Sequence, residues 1–376
     1  VPEYPVSRKR RRRVRPGRLR AVIAGGGTGG HLFPGIAIAS ELGKRHPGAR
    51  FLFVTGRRKI ESEILNRLGY EQMTIDVEGI KGRGWMGAFQ GLLRLPHSFF
   101  QSCALLRAFV PQMVVGVGGY SSGPVCVAAR LMGIPTAIHE QNSFPGLTNR
   151  VLCRIVDRVF VSFEQSLENF AGGTLSLTGN PVREELLGVR GSREKPDRPL
   201  SVLVMGGSQG ARAVNKAFAE AMSILKGQGR KIDVMHQTGQ IDYQRCLQDY
   251  MERSLDVDPV PFIHDMAVAY GWAHMVVSRA GATTVSELCA LGKPSILIPY
   301  PHAANRHQEV NALMVARSGG AVILRERDLD GQRLANLLIR YMEDRQSLEL
   351  MGLAARKMGR PEAARLIADQ LEGMLG

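Results

Sequence analysis

Short β-branched and aliphatic runs alternate along the chain with longer stretches whose apolar positions recur at helical spacing. In the first half, Arg20–Ala24, Phe51–Val54, Met113–Val117, Thr136–His139 and Arg158–Val161 read as strands. Amphipathic helices are predicted between them, for example over Pro34–Arg45 and Pro124–Met132. This alternation predicts an α/β fold with parallel sheets. Gly188–Pro199, GVRGSREKPDRP, is polar and punctuated by Gly and Pro, as an interdomain linker should be. After it the pattern restarts. Leu200–Met205 runs into Gly206, Gly207, Ser208, Gln209 and Gly210, then into the helix-like Ala211–Leu225, just as Leu19–Ala24 runs into Gly25–Gly30 and a helix. Two Rossmann-like domains with parallel sheets facing across a cleft are the expected architecture. The expected divisions are a basic tail over 1–18, an N-terminal domain over 19–187, a linker over 188–199 and a C-terminal domain over 200–376. The last helix is a candidate to pack back on the N-terminal domain.

Three glycine clusters follow strands. Gly25-Gly26-Gly27-Thr28-Gly29-Gly30 satisfies GxGxxG, a loop whose main-chain N–H groups approach an anion at a helix start. A dinucleotide site also wants an acid after the second strand, and here that strand ends Val54-Thr55-Gly56-Arg57-Arg58. NAD is disfavoured; an NADP-dependent oxidoreductase, with Arg57 and Arg58 on a 2′-phosphate, stays open as an alternative. Gly206–Gly210 fails GxGxxG yet can cradle a diphosphate, helped by the Ser208 hydroxyl. The third cluster, Gly116–Gly123, again joins a strand to a helix, with Pro124 near its start. Three such loops suit phosphates bound by both domains, where a dehydrogenase normally needs one.

Composition narrows the classes. The 376 residues are 44% hydrophobic, enough for two ordinary cores. Of the net +15, more than half is local: residues 1–20 carry nine Lys or Arg against a single Glu3. Such a block is a solvated tail or an attraction to anionic lipid or nucleic acid. Zinc-finger spacing and RNP-like aromatic runs are absent from the sequence, so no nucleic-acid partner is expected. Cys103, Cys126, Cys153, Cys246 and Cys289 are scattered without a CxxC pair, which fits reduced thiols inside the cell. No run reaches the ~20 apolar residues that a membrane span needs.

Beyond these generic features, GGGTGGHLFPGIAIA (25–39), GGYSSGPVCVAA (118–129), HEQNSFPGLTNR (139–150), TGNPVR (178–183), GGSQGA (206–211), RAGATTVSE (279–287) and HAANRHQEVNA (302–312) occur in that order. Together they closely resemble the MurG family, the glycosyltransferase family 28 enzymes that convert lipid I to lipid II in peptidoglycan synthesis. The resemblance implies a GT-B fold with the lipid acceptor on the N-terminal domain and UDP-N-acetylglucosamine on the C-terminal one. It further implies an inverting reaction with no metal or other cofactor. Carried residue by residue, it puts Thr28, Gly29 and Gly30 in the first loop and Asn142 facing the cleft. Arg183 is implied near the donor diphosphate, Ser208 and Gln209 in the second phosphate loop, and Ile263 with its main chain on uracil. Ala282, Thr283, Thr284, Val285 and Ser286 are implied beside diphosphate and sugar, Glu287 on the ribose hydroxyls and Gln308 on the sugar. His307 departs from the pattern, since some members carry a second Gln there.

An inverting transfer needs a base for the acceptor hydroxyl and stabilisation of the departing diphosphate. His31, at a helix start after the glycine loop, is the favoured base or acceptor-positioning group; a neutral imidazole there accepts a proton. Glu140 is the rival base or an orienting partner for His31. Arg183 and the helix start near Gly281–Thr284 are the natural anion stabilisers. Asp256-Val257-Asp258 precedes Pro259 in a polar stretch and reads as a solvated turn, and no metal site is expected. Gly79–Phe100 mixes Ile80, Trp85, Phe89 and Leu92 with Lys81, Arg83 and Arg94. Apolar anchors with cations suit an interfacial segment on anionic lipid. Peripheral attachment to the cytoplasmic face of the plasma membrane is therefore expected.

Overall fold

The computed structural model describes residues 19–26, 29–56, 59–77, 84–189, 199–207 and 210–375; for residues 59–60, 84–95 and Ala304 it describes the backbone alone. The chain forms two compact units. One comprises residues up to Gln141, Pro145–Gly179 and the end of the chain from Glu362; the other comprises Asn142–Phe144 and Asn180–Pro361.

The first unit carries strands β1 (Arg20–Gly25), β2 (Arg50–Thr55), β3 (Glu71–Thr74), β4 (Met113–Gly118), β5 (Thr136–Glu140), β6 (Arg158–Val161) and β7 (Leu175–Leu177). They form one parallel sheet in the order β3-β2-β1-β4-β5-β6-β7. Successive strand residues point to opposite faces. Ala21 and Ile23 thus join Phe51, Phe53, Leu32 and Ile38 on one side, while Val22 and Ala24 join Leu52, Val54, Leu106 and Val125 on the other. β3 and β7 went unread in the sequence. They are edge strands, and β3 (EQMT) is mostly solvent-facing, so it lacks the apolar run that marks its neighbours.

The first helix begins at Gly29 rather than Pro34, so the last two loop glycines form its opening turn. Pro34 sits inside this helix, and the helix stops ahead of Pro47, with Lys44 and Arg45 in its last turn. Against it packs the last helix, Ala363–Gly373, through buried Ile367, Ala368 and Leu371. Arg45 reaches Asp369 at 2.7 Å and Glu372 at 3.0 Å, and His46 reaches Glu372 at 2.8 Å.

The second unit carries β8 (Leu200–Met205), β9 (Ile232–Gln237), β10 (Met275–Ser278), β11 (Ser295–Leu297) and β12 (Val322–Ile323), parallel in the order β12-β11-β10-β8-β9. Val202, Val204 and Val277 face one core, Leu203, Met205 and Val276 the other. The division between units falls at Gly179/Asn180, ahead of the Gly188–Pro199 segment. The short helix Glu184–Leu187 belongs with the second unit because Leu186 buries against Ala269, Tyr270 and Val285.

In both sheets the strand order reverses direction once, between β1 and β4 and between β8 and β10. At such a point the connecting loops diverge, and a crevice opens beyond the carboxyl ends of the strands. The glycine loops of the sequence lie at these two places.

Candidate active site

At the first switch point β1 ends on Gly25, paired with Gly118 at the end of β4 across a register shift. Gly119 has φ +81°, and a Cβ there would lie 2.1 Å from the Gly26 carbonyl oxygen. The two glycine turns can touch only because neither carries a side chain at the contact. His31 is the third residue of the helix that follows, half-buried. Its Nδ1 is 3.0 Å from Oε1 of Gln141, at the end of β5. The Gln141 Nε2 donates to the Val117 carbonyl at 2.8 Å and faces His139 Nδ1 at 3.2 Å. His139 Nε2 in turn lies 3.2 Å from the Gly179 carbonyl. Burial pushes the His139 imidazole down to about 4, so it is neutral.

Glu140 is buried, and its Oε2 accepts from Gly146 N–H at 3.0 Å and from Asn149 Nδ2 at 2.8 Å. It fastens the turn after β5 to the helix Leu147–Leu152. Gln141, rather than Glu140, is the side chain placed 3.0 Å from His31 Nδ1. Gly29 and Gly30 open the His31 helix. Thr28 lies outside the described residues. Asn142 follows Gln141 and is half-buried.

At the second switch point Gly207 has φ +88° and Gly210 φ +79°, and a Cβ on Gly210 would meet the Thr238 carbonyl oxygen at 2.1 Å. Ser208 and Gln209, between them, lie outside the described residues. The Gly207 carbonyl accepts from Gly210 N–H at 3.0 Å and from Gln237 Nε2 at 3.1 Å. The other end of that amide, Gln237 Oε1, accepts the Ile263 N–H at 2.9 Å. One buried side chain at the end of β9 therefore ties the glycine turn to the segment expected to meet uracil.

The helix Ala282–Leu291 starts just past β10 with Gly281 as N-cap. Ala282, Thr283, Thr284, Val285 and Ser286 fill its opening turns. Thr283 Oγ1 lies 3.5 Å from Asn180 Nδ2. Glu287, next along, is buried: its Oε1 is 3.2 Å from Arg183 and its Oε2 accepts from the Tyr270 hydroxyl at 3.0 Å. Burial pushes the Glu287 carboxyl up, opposed by Arg183 and Tyr270. Tyr270 is raised well above its ordinary value, chiefly by burial, so it stays a donor. Gln308 Oε1 accepts from Tyr300 N–H at 3.0 Å, which anchors the loop after β11. His307 and Gln308 open the helix His307–Arg317, directly after Asn305 (φ 52°) and Arg306 (φ 53°). Two consecutive non-glycine residues in the left-handed region are strained, a condition that concentrates at ligand sites.

The sequence marked His31, Arg183, Ile263 and Glu287 but missed Gln141, His139, Gln237 and Tyr270. The first two stand inside the quoted HEQN motif, which was their only signal; Gln237 and Tyr270 carried none. Asp256 and Asp258 are exposed in a loop, and among the described residues no group of three or more His, Cys, Asp or Glu could hold a metal ion.

Comparison with known proteins fits this geometry. Residues 21–161 match the glycosyltransferase family 28 N-terminal domain and residues 201–367 its C-terminal domain. The UDP-N-acetylglucosamine–N-acetylmuramyl-(pentapeptide) pyrophosphoryl-undecaprenol N-acetylglucosamine transferase of Syntrophus aciditrophicus is 45% identical, over 95% of this chain and 99% of its own. That of Myxococcus xanthus is 44% identical over 93% and 92%. The chain belongs to the MurG family. The crystal structure of Acinetobacter baumannii MurG superposes with a TM-score of 0.73 at 30% identity, over 94% of this chain and 99% of that one. The two parallel-sheet units are thus the two Rossmann-like domains of the GT-B fold. The oxidoreductase alternative finds no support among these relatives, and its Arg57 and Arg58 lie outside the described residues.

Proposed function

We propose that this MurG-family chain transfers N-acetylglucosamine from UDP-N-acetylglucosamine to the C4 hydroxyl of the N-acetylmuramoyl unit of lipid I, giving lipid II with inversion at the anomeric carbon. The observation that carries the site reading is the meeting of Arg183 and Glu287 beside the start of the Ala282–Leu291 helix. The carboxylate lies one turn into that helix, and the cation comes to it from a segment about a hundred residues earlier. Charge and helix N-terminus so gather at one switch point, as a nucleoside diphosphate requires. The helix start and the Arg183 guanidinium stabilise the charge that develops on departing UDP. Glu287 holds the ribose hydroxyls, Ile263 the uracil, Gln308 the sugar, and Ser208 with Gln209 the diphosphate. Thr28, Gly29 and Gly30 serve the acceptor side, and Asn142 is a further substrate contact.

His31 takes the proton of the attacking hydroxyl. Glu140 remains the rival, but its Oε2 already accepts two hydrogen bonds. The enzyme is incubated with UDP-N-acetylglucosamine and a short-chain lipid I analogue, with and without EDTA. UDP release should require the acceptor and survive the chelator, and His31→Ala should lower kcat by about 10²–10⁴ with UDP binding unchanged. Full turnover in His31→Ala would remove His31 from the chemistry. Acceptor-independent release of UDP would refute the transfer reading.

The acceptor's polyprenyl chain stays in the bilayer, so the enzyme works at the membrane surface. No helix among the described residues is long and apolar enough to cross a membrane. Peripheral attachment is supported by Leu147 (72% exposed) and Val151 (60%), one turn apart and flanked by Arg150 and Arg154, and the face we assign to it is the cytoplasmic one. Ile80, Lys81 and Arg83 lie outside the described residues. Trp85, Phe89, Leu92 and Arg94 lie on the helix Gly84–Phe109, along a stretch whose side chains are not described.

A further inference from the structure

We propose that Gln141 is a positioning residue that locks the His31 imidazole in the tautomer protonated on Nδ1, so that the Nε2 lone pair is the one offered to a substrate hydroxyl. The argument starts from two groups that can only accept. The Val117 carbonyl lies 2.8 Å from the Gln141 side chain, so the atom facing it must be the amide nitrogen. At the far end, the Gly179 carbonyl lies 3.2 Å from His139 Nε2, so that nitrogen carries a hydrogen. Ser162 Oγ, 3.4 Å from the same nitrogen, gives its own hydrogen to the Glu140 carbonyl at 2.9 Å and can likewise only accept there. His139 is fully buried and neutral, which leaves its Nδ1 bare to accept the second N–H of Gln141 at 3.2 Å.

Both amide hydrogens are then in use. What faces His31 Nδ1 at 3.0 Å is Gln141 Oε1, an acceptor, and Nδ1 must be the donor. A neutral His31 is therefore bare at Nε2. The opposite tautomer would set the Nδ1 lone pair against Oε1 and present an N–H to an incoming hydroxyl. Gly118 makes the contact possible: a Cβ at that position would lie 2.8 Å from His31 Nδ1. The lock uses a buried neutral chain, and its end groups are main-chain atoms of β4 and of the turn after β7, which are fixed by the sheet.

For the transfer reaction the inference rests on the reading of His31 as proton acceptor. The C4 hydroxyl proton moves to Nε2 as the new O–C1 bond forms and the bond from C1 to the UDP oxygen breaks, with its electron pair leaving on UDP. The resulting imidazolium keeps Nδ1–H on Gln141 Oε1, so no rearrangement accompanies proton transfer.

Nitrogen-15 NMR of the full-length protein, with the His31 signals assigned from a His31→Asn variant, reads the tautomer directly and without substrate. The wild type should show His31 protonated on Nδ1 at pH values where it is neutral. Gln141→Met, similar in length without polar atoms, should lose that preference. Its kcat should fall about tenfold, with KM for UDP-N-acetylglucosamine and for a lipid I analogue held within about twofold, the scale of one hydrogen bond. A wild-type His31 protonated on Nε2, or Gln141→Met retaining both tautomer and kcat, would overturn the inference. If Gln141→Met does not fold, the wild-type spectrum alone decides. An Nδ1–H tautomer together with full turnover in His31→Ala would leave the lock standing and remove the catalytic role.

Discussion

Removing one hydroxyl from the buried Arg183–Glu287–Tyr270 group tests the electrostatics of the proposed donor site. Tyr270→Phe keeps the ring and deletes only the donor that lies 3.0 Å from Glu287 Oε2. Tyr270 is wholly buried and Glu287 is 5% exposed, so water does not replace the lost bond freely. A hydrogen bond to a charged group contributes about 1.5–3 kcal/mol, so about 2 kcal/mol of stability should be lost near neutral pH. The carboxyl already sits above its ordinary range because of burial, and Tyr270 is one of the two groups opposing that rise. In the variant it rises further. A native carboxyl with a raised pKa binds protons more readily than the unfolded one, so its contribution to stability falls as pH climbs from about 4.5 through the native value. The penalty of Tyr270→Phe should therefore be largest where Glu287 is ionised and shrink on acidification. Urea unfolding followed by Trp272 fluorescence, in a Trp85→Phe background, reports locally because Trp272 ends the helix that carries Tyr270. A double-mutant cycle with Glu287→Gln isolates the pair. A loss below about 0.5 kcal/mol, or one of equal size at all pH values, would refute the account.

Lys293 gives a second pH-dependent test. Burial pushes its amine down to about 8, and its Nζ donates to the Ala273 carbonyl at 2.8 Å. Between about 8 and 10.5 the unfolded chain binds the extra proton, so stability should rise across that window by about 3 kcal/mol; Lys293→Met should flatten the rise in urea midpoints. On vesicles containing anionic lipid, the protein should be retained at low salt and released as salt rises. Leu147→Glu with Val151→Glu should weaken retention without changing UDP binding, and unchanged retention would remove this surface from the interface.

Much of the plan of this protein is written locally. Continuous apolar runs made β1, β2, β4, β5, β6 and β8 legible, because a parallel strand buried on both faces must be apolar along its length. The repeated strand, glycine turn and helix announced two Rossmann-like sheets, since a tight turn from strand end to helix start favours glycine whatever surrounds it. The edge strands β3 and β7 escaped because a strand open to water on one side carries no such run. β9 to β12 also went unread, β10 and β11 because, although buried throughout, they are only four and three residues long. Tertiary structure decided which neutral side chains complete the sites. Gln141 joins Val117, His31 and His139, Gln237 bridges Gly207 and Ile263, and Tyr270 meets Glu287. A buried amide or phenol answers to the donors and acceptors that folding brings beside it, and these lie far from it along the chain. Charged and glycine positions declare their chemistry by residue type, whereas Gln141 and Tyr270 acquire theirs only from their neighbours in space.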